Sequence, residues 1–316
     1  MKARLAKQRG VAVVTALLLT TLAITIVASL FWQQQVQVRS MENQRLHLQT
    51  RWILRGALDW ARLILRQSGY DDREVTRENG VWATPLAETR LDQYVERERL
   101  ENESYDATIA GQIYDAQSRY NLGSLARQGQ VVPEQLEVFQ RLLVQLQLDA
   151  GLAVTVANEV ARSQQPQQGT GGQQPAVATT MELLRVEDLL AVAGFTQQAV
   201  EALRPFVIVL PDDAAVNVNT ASPEVLAALV QGMSVSQAQA LVQTRRRTPF
   251  LTRQLFDTQL SQLGLSTTAA RVVESNFFLV QSWVKLDRAA LETWALIRRA
   301  NRNGQYLTSL EWIREN

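Results

Sequence analysis

This chain of 316 residues contains no Cys and one His, so it has few of the side chains that act as nucleophiles or bind transition metals. Without Cys there can be no disulfide, no thiolate nucleophile and no zinc–thiolate site. A catalytic triad or a His-rich metal centre needs imidazole groups, and His47 is the only one in the chain. The residue types therefore argue against most nucleophilic and transition-metal enzymes.

Carboxylates are the only abundant side chains of a catalytic type. They form three local clusters: Asp71, Asp72 and Glu74; Glu101 and Glu103; Asp212 and Asp213. None of them has the Asp-x-Asn-x-Asp-Gly spacing of a calcium-binding EF-hand loop. The sequence also lacks a Walker loop, a dinucleotide fingerprint and a Gly-x-Ser-x-Gly elbow. We therefore predict that the protein is not an enzyme and that these carboxylates are solvated.

Composition describes an ordinary globular chain. Hydrophobic residues make up 46% of it, and 32 basic residues nearly balance 31 acidic ones. Such values are unlike those of a disordered acidic tail or a fibre, and the length suffices for one large or two smaller domains. A net charge of +1 gives no overall attraction to nucleic acid, which would need a local basic patch.

The N-terminus carries a membrane signal. Lys2, Arg4, Lys7 and Arg9 precede residues 11–32, which contain no charge. An apolar run of about 20 residues is long enough to cross a bilayer as a helix. The flanking cations predict a cytoplasmic N-terminus, with everything after Trp32 outside the cytoplasm. A cleaved secretory signal is the alternative, but its apolar core is usually only about 7–15 residues and ends in small residues.

Helical character continues beyond the apolar run. Between residues 41 and 66 there is no Pro, and an apolar stripe forms at helical spacing. The stripe contains Leu46, Ile53, Ala57, Trp60 and Ile64. The sequence therefore predicts one helix from Val11 to about Gln67, with a fully apolar first part and an amphipathic second part.

The rest of the chain changes from strand to helix and back to strand. Alternating polarity predicts strands at residues 94–100, 105–115, 277–286 and 293–299, whereas helical spacing fills residues 133–162 and 181–203. We therefore predict an α+β fold in which a long N-terminal helix and a small antiparallel sheet carry an inserted all-α domain. A Gln- and Gly-rich tract at residues 164–174 predicts an exposed loop within that domain.

A stretch at residues 216–250 resembles the helix-hairpin-helix of competence-type DNA-binding proteins. Thr220 or Ser222 can cap its first helix. In that motif a Gly-apolar-Gly hairpin and nearby lysines hold a phosphate, but here Ser234 replaces the second Gly and uncharged residues replace the lysines. Because cations supply most phosphate affinity, we interpret the motif as degenerate. Nucleic-acid binding is not expected, and the Arg cluster at residues 245–247 is interpreted as a solvated helix end.

The N-terminal residues resemble those of type IV pilins and pseudopilins. The resemblance is carried by Lys-Gln-Arg-Gly at residues 7–10, followed directly by the apolar run. It implies that a prepilin peptidase cuts after Gly10 and methylates Val11, and that the apolar helix serves first as an anchor and then as filament core. Most pilin-like chains carry Glu five residues past the cut, where this chain has Thr15. A subunit with no neighbour stacked above it needs no such Glu, so Thr15 points to the filament tip.

Taken over the whole chain, these features resemble the K-class minor pseudopilins of bacterial type II secretion systems. Further support comes from residues 203–221, 276–280 and 310–315. The resemblance implies a tip subunit that caps or initiates the pseudopilus, with I- and J-class minor pseudopilins, the prepilin peptidase and the inner-membrane platform as partners. It also makes calcium possible, although no ligands can be assigned. The alternative is a membrane-anchored helix-hairpin-helix protein for DNA uptake.

The predicted organisation has six parts. They are a leader at residues 1–10, a transmembrane and filament-core helix at 11–32, an amphipathic continuation at 33–67, the first part of a pilin-like domain at 68–121, an inserted helical domain at 122–270, and closing strands at 271–316. In this scheme the stripe of Ile53, Ala57, Trp60 and Ile64 packs against partner helices.

Overall fold

The computed structural model describes residues 11–91, 107–164, 181–211 and 213–315. Its α-helices are α1 (Val11–Asp71), α2 (Pro133–Gln145), α3 (Leu152–Ser163), α4 (Gln197–Leu203), α5 (Pro223–Leu229), α6 (Val235–Arg247) and α7 (Arg253–Gln262). Short 3₁₀ helices lie at Val81–Ala83, Ala116–Ser118, Leu122–Leu125 and Val186–Ala191. The longer strands are β1 (Leu86–Arg90), β2 (Ala107–Asp115), β9 (Phe277–Leu286), β10 (Ala289–Arg302) and β11 (Gln305–Glu315). Two-residue strands are β3 (Tyr120–Asn121), β4 (Ala126–Arg127), β5 (Gln130–Val131), β6 (Val207–Ile208), β7 (Val216–Asn217) and β8 (Arg271–Val272).

Helix α1 is a single helix of 61 residues, which at 1.5 Å per residue is about 90 Å long. It contains no Pro, so nothing in it removes a backbone hydrogen bond. The predicted helix is therefore present, and it ends at Asp71 instead of near Gln67.

The main sheet is antiparallel and has the strand order β1-β2-β9-β10-β11. β2 and β9 are neighbours, with Ala107 opposite Leu286 and Asp115 opposite Phe278. The chain therefore leaves the sheet at Asp115 and re-enters it at Phe277, and the helices α2 to α7 all fall between these two points. The predicted α+β class, with a long first helix and helices inserted into an antiparallel sheet, is confirmed.

The two faces of the sheet are covered by different parts of the chain. α1 packs on the face that carries Ile109, Ile113 and Val280. The opposite face carries Leu279 and Leu296, and it packs against Ile208 and Leu210 of the inserted region. Successive residues of a strand point to opposite faces, so β9 contributes to both clusters.

The inserted region has its own core. Val138, Phe139 and Leu142 of α2 are buried in it together with side chains of α3, α5 and α6, and the ring of Phe139 stacks on Tyr120 at a centroid distance of 5.7 Å. Local signals set the helix starts: Pro133 is at the first turn of α2, and the Ser222 hydroxyl accepts a hydrogen bond from Val225 N at the start of α5.

The helix predicted at residues 181–203 is wrong in its extent, because only Val186–Ala191 and Gln197–Leu203 are helical. Gly194 separates them with a φ of +92°, a left-handed conformation that ends helical continuity. The strand predicted at residues 94–100 lies outside the described residues.

The strand predicted at residues 293–299 is longer in the structure, and a further strand follows it. β10 runs from Ala289 to Arg302, and it forms a hairpin with β11, which was not predicted as a strand. The turn is Asn303-Gly304, both with positive φ, which is the signature of a type I′ hairpin. The Asn-Gly pair was therefore a usable signal for the last strand.

Candidate functional site

The N-terminal part of α1 has no contact with the described residues of the head, by which we mean the sheet and the inserted helices. Residues 11–32 are all exposed, and the segment is long and apolar enough to cross a membrane by length and composition. Its four Thr hydroxyls, those of Thr15, Thr20, Thr21 and Thr25, donate to carbonyls three or four residues earlier in the same helix. Because these hydroxyls are satisfied within the helix, the segment suits lipid or an apolar helix bundle.

Two predicted processing residues bracket the start of the described chain. Gly10 lies outside the described residues, and Val11 is the first residue of α1. Thr15 lies one turn further on, and its hydroxyl donates to Val11 O and Ala12 O, both at 3.0 Å. This side chain carries no charge, so it offers no ionic partner to an amine of another subunit.

The second part of α1 is fixed to the sheet by a stripe that sequence analysis missed. Leu54, Leu58, Ala61 and Leu65 are buried against the face of Ile109. Their spacing of four, three and four residues places them on one side of a helix. The same spacing in the sequence could have identified them, but the predicted stripe lay about one residue away.

The predicted partner stripe lies beside that buried stripe. Ile53, Ala57 and Ile64 are half-buried and pack partly on the chain's own core, whereas Trp60 is 49% exposed. Ala57, Trp60 and Ile64 line one side of a small apolar groove of about 50 Å³. Residues of the sheet and its approach line the other side: Trp82, Leu86, Ile109 and Ile113. Of the four residues predicted to contact a partner, Trp60 is therefore the most available.

A further apolar stripe of α1 faces away from the sheet. Leu48, Trp52 and Leu63 are at least half exposed. Gly56 lies between them, and a Cβ there would meet nothing within 4 Å. α1 thus keeps unburied apolar surface on this side as well as at Trp60.

Polar contacts align α1 with the end of the sheet. Arg62 donates to Thr308 O of β11 at 3.0 Å, and Arg51 pairs with Glu315 at 3.3 Å. The second contact is an exposed ion pair, and such pairs contribute little energy. Together these two contacts orient α1 along β11, while burial of the apolar stripe stabilises the packing of α1 on the sheet.

Two of the three arginines in the last turn of α6 are engaged by the protein itself. Arg245 is buried and donates to Val218 O at 2.7 Å and Ala221 O at 2.6 Å. Burial lowers its pKa to about 10. Arg246 pairs with Glu78 at 3.2 Å. The prediction of a solvated Arg cluster is therefore wrong for Arg245, because its guanidinium satisfies carbonyls of the segment before α5.

The helix-hairpin-helix resemblance itself stays a prediction. The Ser234 hydroxyl accepts from Gln237 N, and the Gln237 side chain accepts from Ser234 N, which forms a capping box at the start of α6. The side chain that replaces the motif's second Gly thus serves the helix itself.

The acidic clusters provide no metal site among the described residues. In that part of the chain, no group of three or more His, Asp or Glu residues is arranged to hold a metal ion. Asp72 pairs with Arg77 at 2.7 Å, and Asp213 pairs with Arg127 at 2.7 Å. Asp72 and Asp213 are therefore not simply solvated, whereas Glu101, Glu103 and Asp212 lie outside the described residues. The calcium ion that the resemblance made possible stays a prediction without assigned ligands.

A long helix that is exposed and apolar in its first part and packs on a small antiparallel sheet in its second part defines a pilin-like fold. Two family models, both for the type II secretion system (T2SS) protein K, match residues 118–212 and 216–274. The type II secretion system protein K of Pseudomonas aeruginosa is 32% identical over 299 residues, covering 88% of this chain and 85% of that protein. The chain therefore belongs to the type II secretion system protein K family, the K-class minor pseudopilins.

Two other matches also extend over most of this chain. The protein K of Klebsiella pneumoniae is 26% identical over 327 residues and is covered to 94%, as is this chain. A chain from the crystal structure of the GspK-GspI-GspJ complex of enterotoxigenic Escherichia coli matches with a TM-score of 0.60 and 20% identity. The match covers 87% of this chain and 99% of that chain, so the two share a fold.

We predict that Leu58→Ala loosens α1 from the sheet and lowers the free energy of unfolding by about 2–4 kcal/mol, since it removes a fully buried side chain. Leu63→Ala is the matched control, because Leu63 is 50% exposed on the same helix and its loss should cost within about 0.5 kcal/mol. Urea unfolding of a fragment that begins at Gln33 measures both. Equal losses would contradict the assignment of the buried stripe.

Proposed function

We propose that this minor pseudopilin lies at the tip of the type II secretion pseudopilus, where it caps or initiates the filament and so supports protein export across the outer membrane. One observation carries the proposal. A single helix is fully exposed and apolar over residues 11–32, yet it is buried through Leu54, Leu58 and Leu65 against the head. The same helix can therefore anchor in a membrane or a helical bundle while it carries the globular part.

The orientation follows from charge. Lys2, Arg4, Lys7 and Arg9 precede the apolar segment, and cationic flanks stay on the cytoplasmic side. We therefore assign the head to the periplasm and the anchor to the inner membrane, with the prepilin peptidase and the secretion platform as partners there. The leader at residues 1–10 and the other predicted domain boundaries are part of this proposal.

The I- and J-class minor pseudopilins are the proposed filament partners. The structural neighbour comes from a crystal structure of a complex of GspK with GspI and GspJ. In the present chain, Trp60 at the rim of the apolar groove and the outward stripe of Leu48, Trp52 and Leu63 are available to an apolar helix. Aromatic side chains that enter a pocket are frequent centres of binding energy. Trp60 is therefore the proposed centre of the partner contact.

Two features support the proposed position at the filament tip. Thr15 offers no carboxylate to a buried amine of a neighbouring subunit, and its hydroxyl is satisfied within its own helix. A buried amine without a partner is costly, so a position without a subunit above is favoured. The inserted helices between Asp115 and Phe277 add bulk to the head, which hinders axial stacking of identical copies.

The role is proposed to be structural and not enzymatic. The DNA-uptake alternative receives no support from the site, because Arg245 is buried and Arg246 is paired with Glu78. With those guanidiniums engaged, few cations of the cluster are left to neutralise phosphates.

Processing is expected at the bond between Gly10 and Val11. Gly10→Val should block cleavage, because a β-branched side chain crowds the scissile bond, which Gly10 leaves open to close approach by the protease. Ala6→Val is the matched control and should be cut normally. Mass spectrometry of the mature N-terminus, in cells that contain a prepilin peptidase, measures both. A normally shortened Gly10→Val protein would refute the site.

Partner binding is expected to depend on Trp60. Trp60→Asp should weaken binding to I- and J-class heads by about tenfold or more, because it places a charge in an apolar contact. Trp283→Asp is the control: Trp283 is 39% exposed, and the alternation of β9 places it on the face opposite α1. Co-purification gives the affinities and circular dichroism checks the fold. Unchanged binding by Trp60→Asp would exclude this contact.

The tip position is tested by electron microscopy of assembled filaments. A label on the inserted domain should appear at one end of each filament, while a label on the most abundant subunit should decorate the shaft. Regular spacing of the inserted-domain label along the shaft would show that the tip proposal is wrong.

A further inference from the structure

A buried carboxylate lies where the chain leaves the sheet for the inserted domain. Asp115 ends β2, and its Oδ2 accepts hydrogen bonds from Ser275 Oγ at 2.6 Å, Thr220 Oγ1 at 2.5 Å and Asn217 Nδ2 at 3.1 Å. Its Oδ1 accepts from Gln117 N at 2.8 Å. Burial raises the pKa of this carboxyl, and the four hydrogen bonds oppose that rise. The carboxylate is thus the acceptor at the centre of a closed polar cluster.

A buried guanidinium lies on the other side of the same cluster. Arg299 of β10 is 2% exposed. It donates to Ser68 Oγ at 2.9 Å, Thr76 Oγ1 at 3.1 Å, Ser275 O at 3.1 Å and Leu65 O at 3.4 Å. Among the described residues, no carboxylate lies within 4.0 Å of its nitrogens to form an ion pair. Its hydrogen-bond partners are therefore neutral groups.

Ser275 and Thr76 connect the two charged groups. Ser275 donates through Oγ to Asp115 and accepts through its carbonyl from Arg299. Thr76 Oγ1 accepts from Ser275 N at 3.0 Å as well as from Arg299, and Thr76 O accepts from Asn217 Nδ2 at 3.0 Å. The two charges are thus joined through shared hydrogen-bonding groups, an arrangement in which neighbouring bonds polarise one another.

The polar cluster contains residues of α1, of the two chain segments that connect the sheet to the inserted domain, and of the inserted domain itself. Leu65 and Ser68 belong to the last turns of α1, and Asp115 and Ser275 lie at the exit and the return of the inserted domain. Asn217 and Thr220 belong to the inserted domain itself. Two chain crossings alone would allow a hinge motion, and the apolar contact of Ile208 and Leu210 with the sheet is not directional. The polar cluster closes that hinge from the side of α1.

We propose that the Asp115–Ser275–Arg299 cluster is a buried joint that holds the inserted domain at one orientation relative to α1. The joint gives a role to Asn217 and Thr220, which belong to the stretch that resembled a DNA-binding motif. Instead of contacting a phosphate, they bind the carboxylate of the sheet domain. The inference concerns the chain itself and does not depend on the tip position.

The absence of Cys from the chain allows a direct test. Spin labels are attached to Arg66→Cys on α1 and Val144→Cys on α2, both exposed, in the full chain in detergent. The width of the distance distribution between the labels is then measured by pulsed electron paramagnetic resonance. In Asp115→Asn the width should increase about twofold, because one acceptor oxygen becomes a donor facing donors and the joint opens as a hinge. An unchanged width in the folded variant would overturn the proposal.

A matched carboxylate within the inserted domain provides the control. Asp257 of α7 pairs with Arg271 at 2.5 Å and makes no hydrogen bond to a member of the joint, so Asp257→Asn should leave the width unchanged. Equal broadening by Asp257→Asn would overturn the proposal, since it would indicate general loosening. If Asp115→Asn does not fold, Thr220→Val and Ser275→Ala each remove one hydroxyl from the joint. Both should broaden the distribution, and an unchanged width in both would also overturn the proposal.

Discussion

The pairing of β2 with β9 is the constraint on which the rest of the molecule depends. These strands are neighbours along nine residue pairs, although they belong to distant parts of the sequence. All the chain between Asp115 and Phe277 must therefore start and finish at the same end of one sheet. Closing so long a loop costs entropy, and the inserted helices offset it with a core of their own around Phe139 and Leu142. The result is a globular part with an apolar cluster on each face of the sheet and a third core among the inserted helices.

Helix α1 meets two requirements that usually belong to different helices. Its first part is apolar on all sides and exposed, as a segment for lipid or a helix bundle must be, and its second part is buried on one side only. Because no Pro interrupts the helix, its first part and its second part share one continuous axis. Leu54, Leu58 and Leu65 attach that axis to the sheet, and the hydrogen bond from Arg62 to Thr308 O aligns it with β11.

Sequence reasoning succeeded where the signal was local and failed where it was not. The long helix, β2 and β9 were predicted because their periodicity extends over many residues. The face of α1 was misjudged by about one residue, because Ile53 and Ile64 are as apolar as Leu54 and Leu65 and only the position of the sheet decides between the two stripes. Arg245 was expected in solvent because its backbone acceptors, Val218 O and Ala221 O, are not visible in a pattern of side chains. Asp115 and Arg299 were missed because their partners come from five separate segments.

A junction built from charges instead of apolar side chains has a physical rationale. Leu, Val and Phe would bury the same surface in several orientations, because apolar contact is not directional. Asp115 and Arg299 have fixed numbers of acceptors and donors, and an orientation that leaves one unpaired in this buried place costs free energy. A polar cluster therefore discriminates against alternative domain orientations even where its net contribution to stability is small. In a subunit whose helix and head must act on different partners, a single relative orientation is what allows the position of one to determine the position of the other.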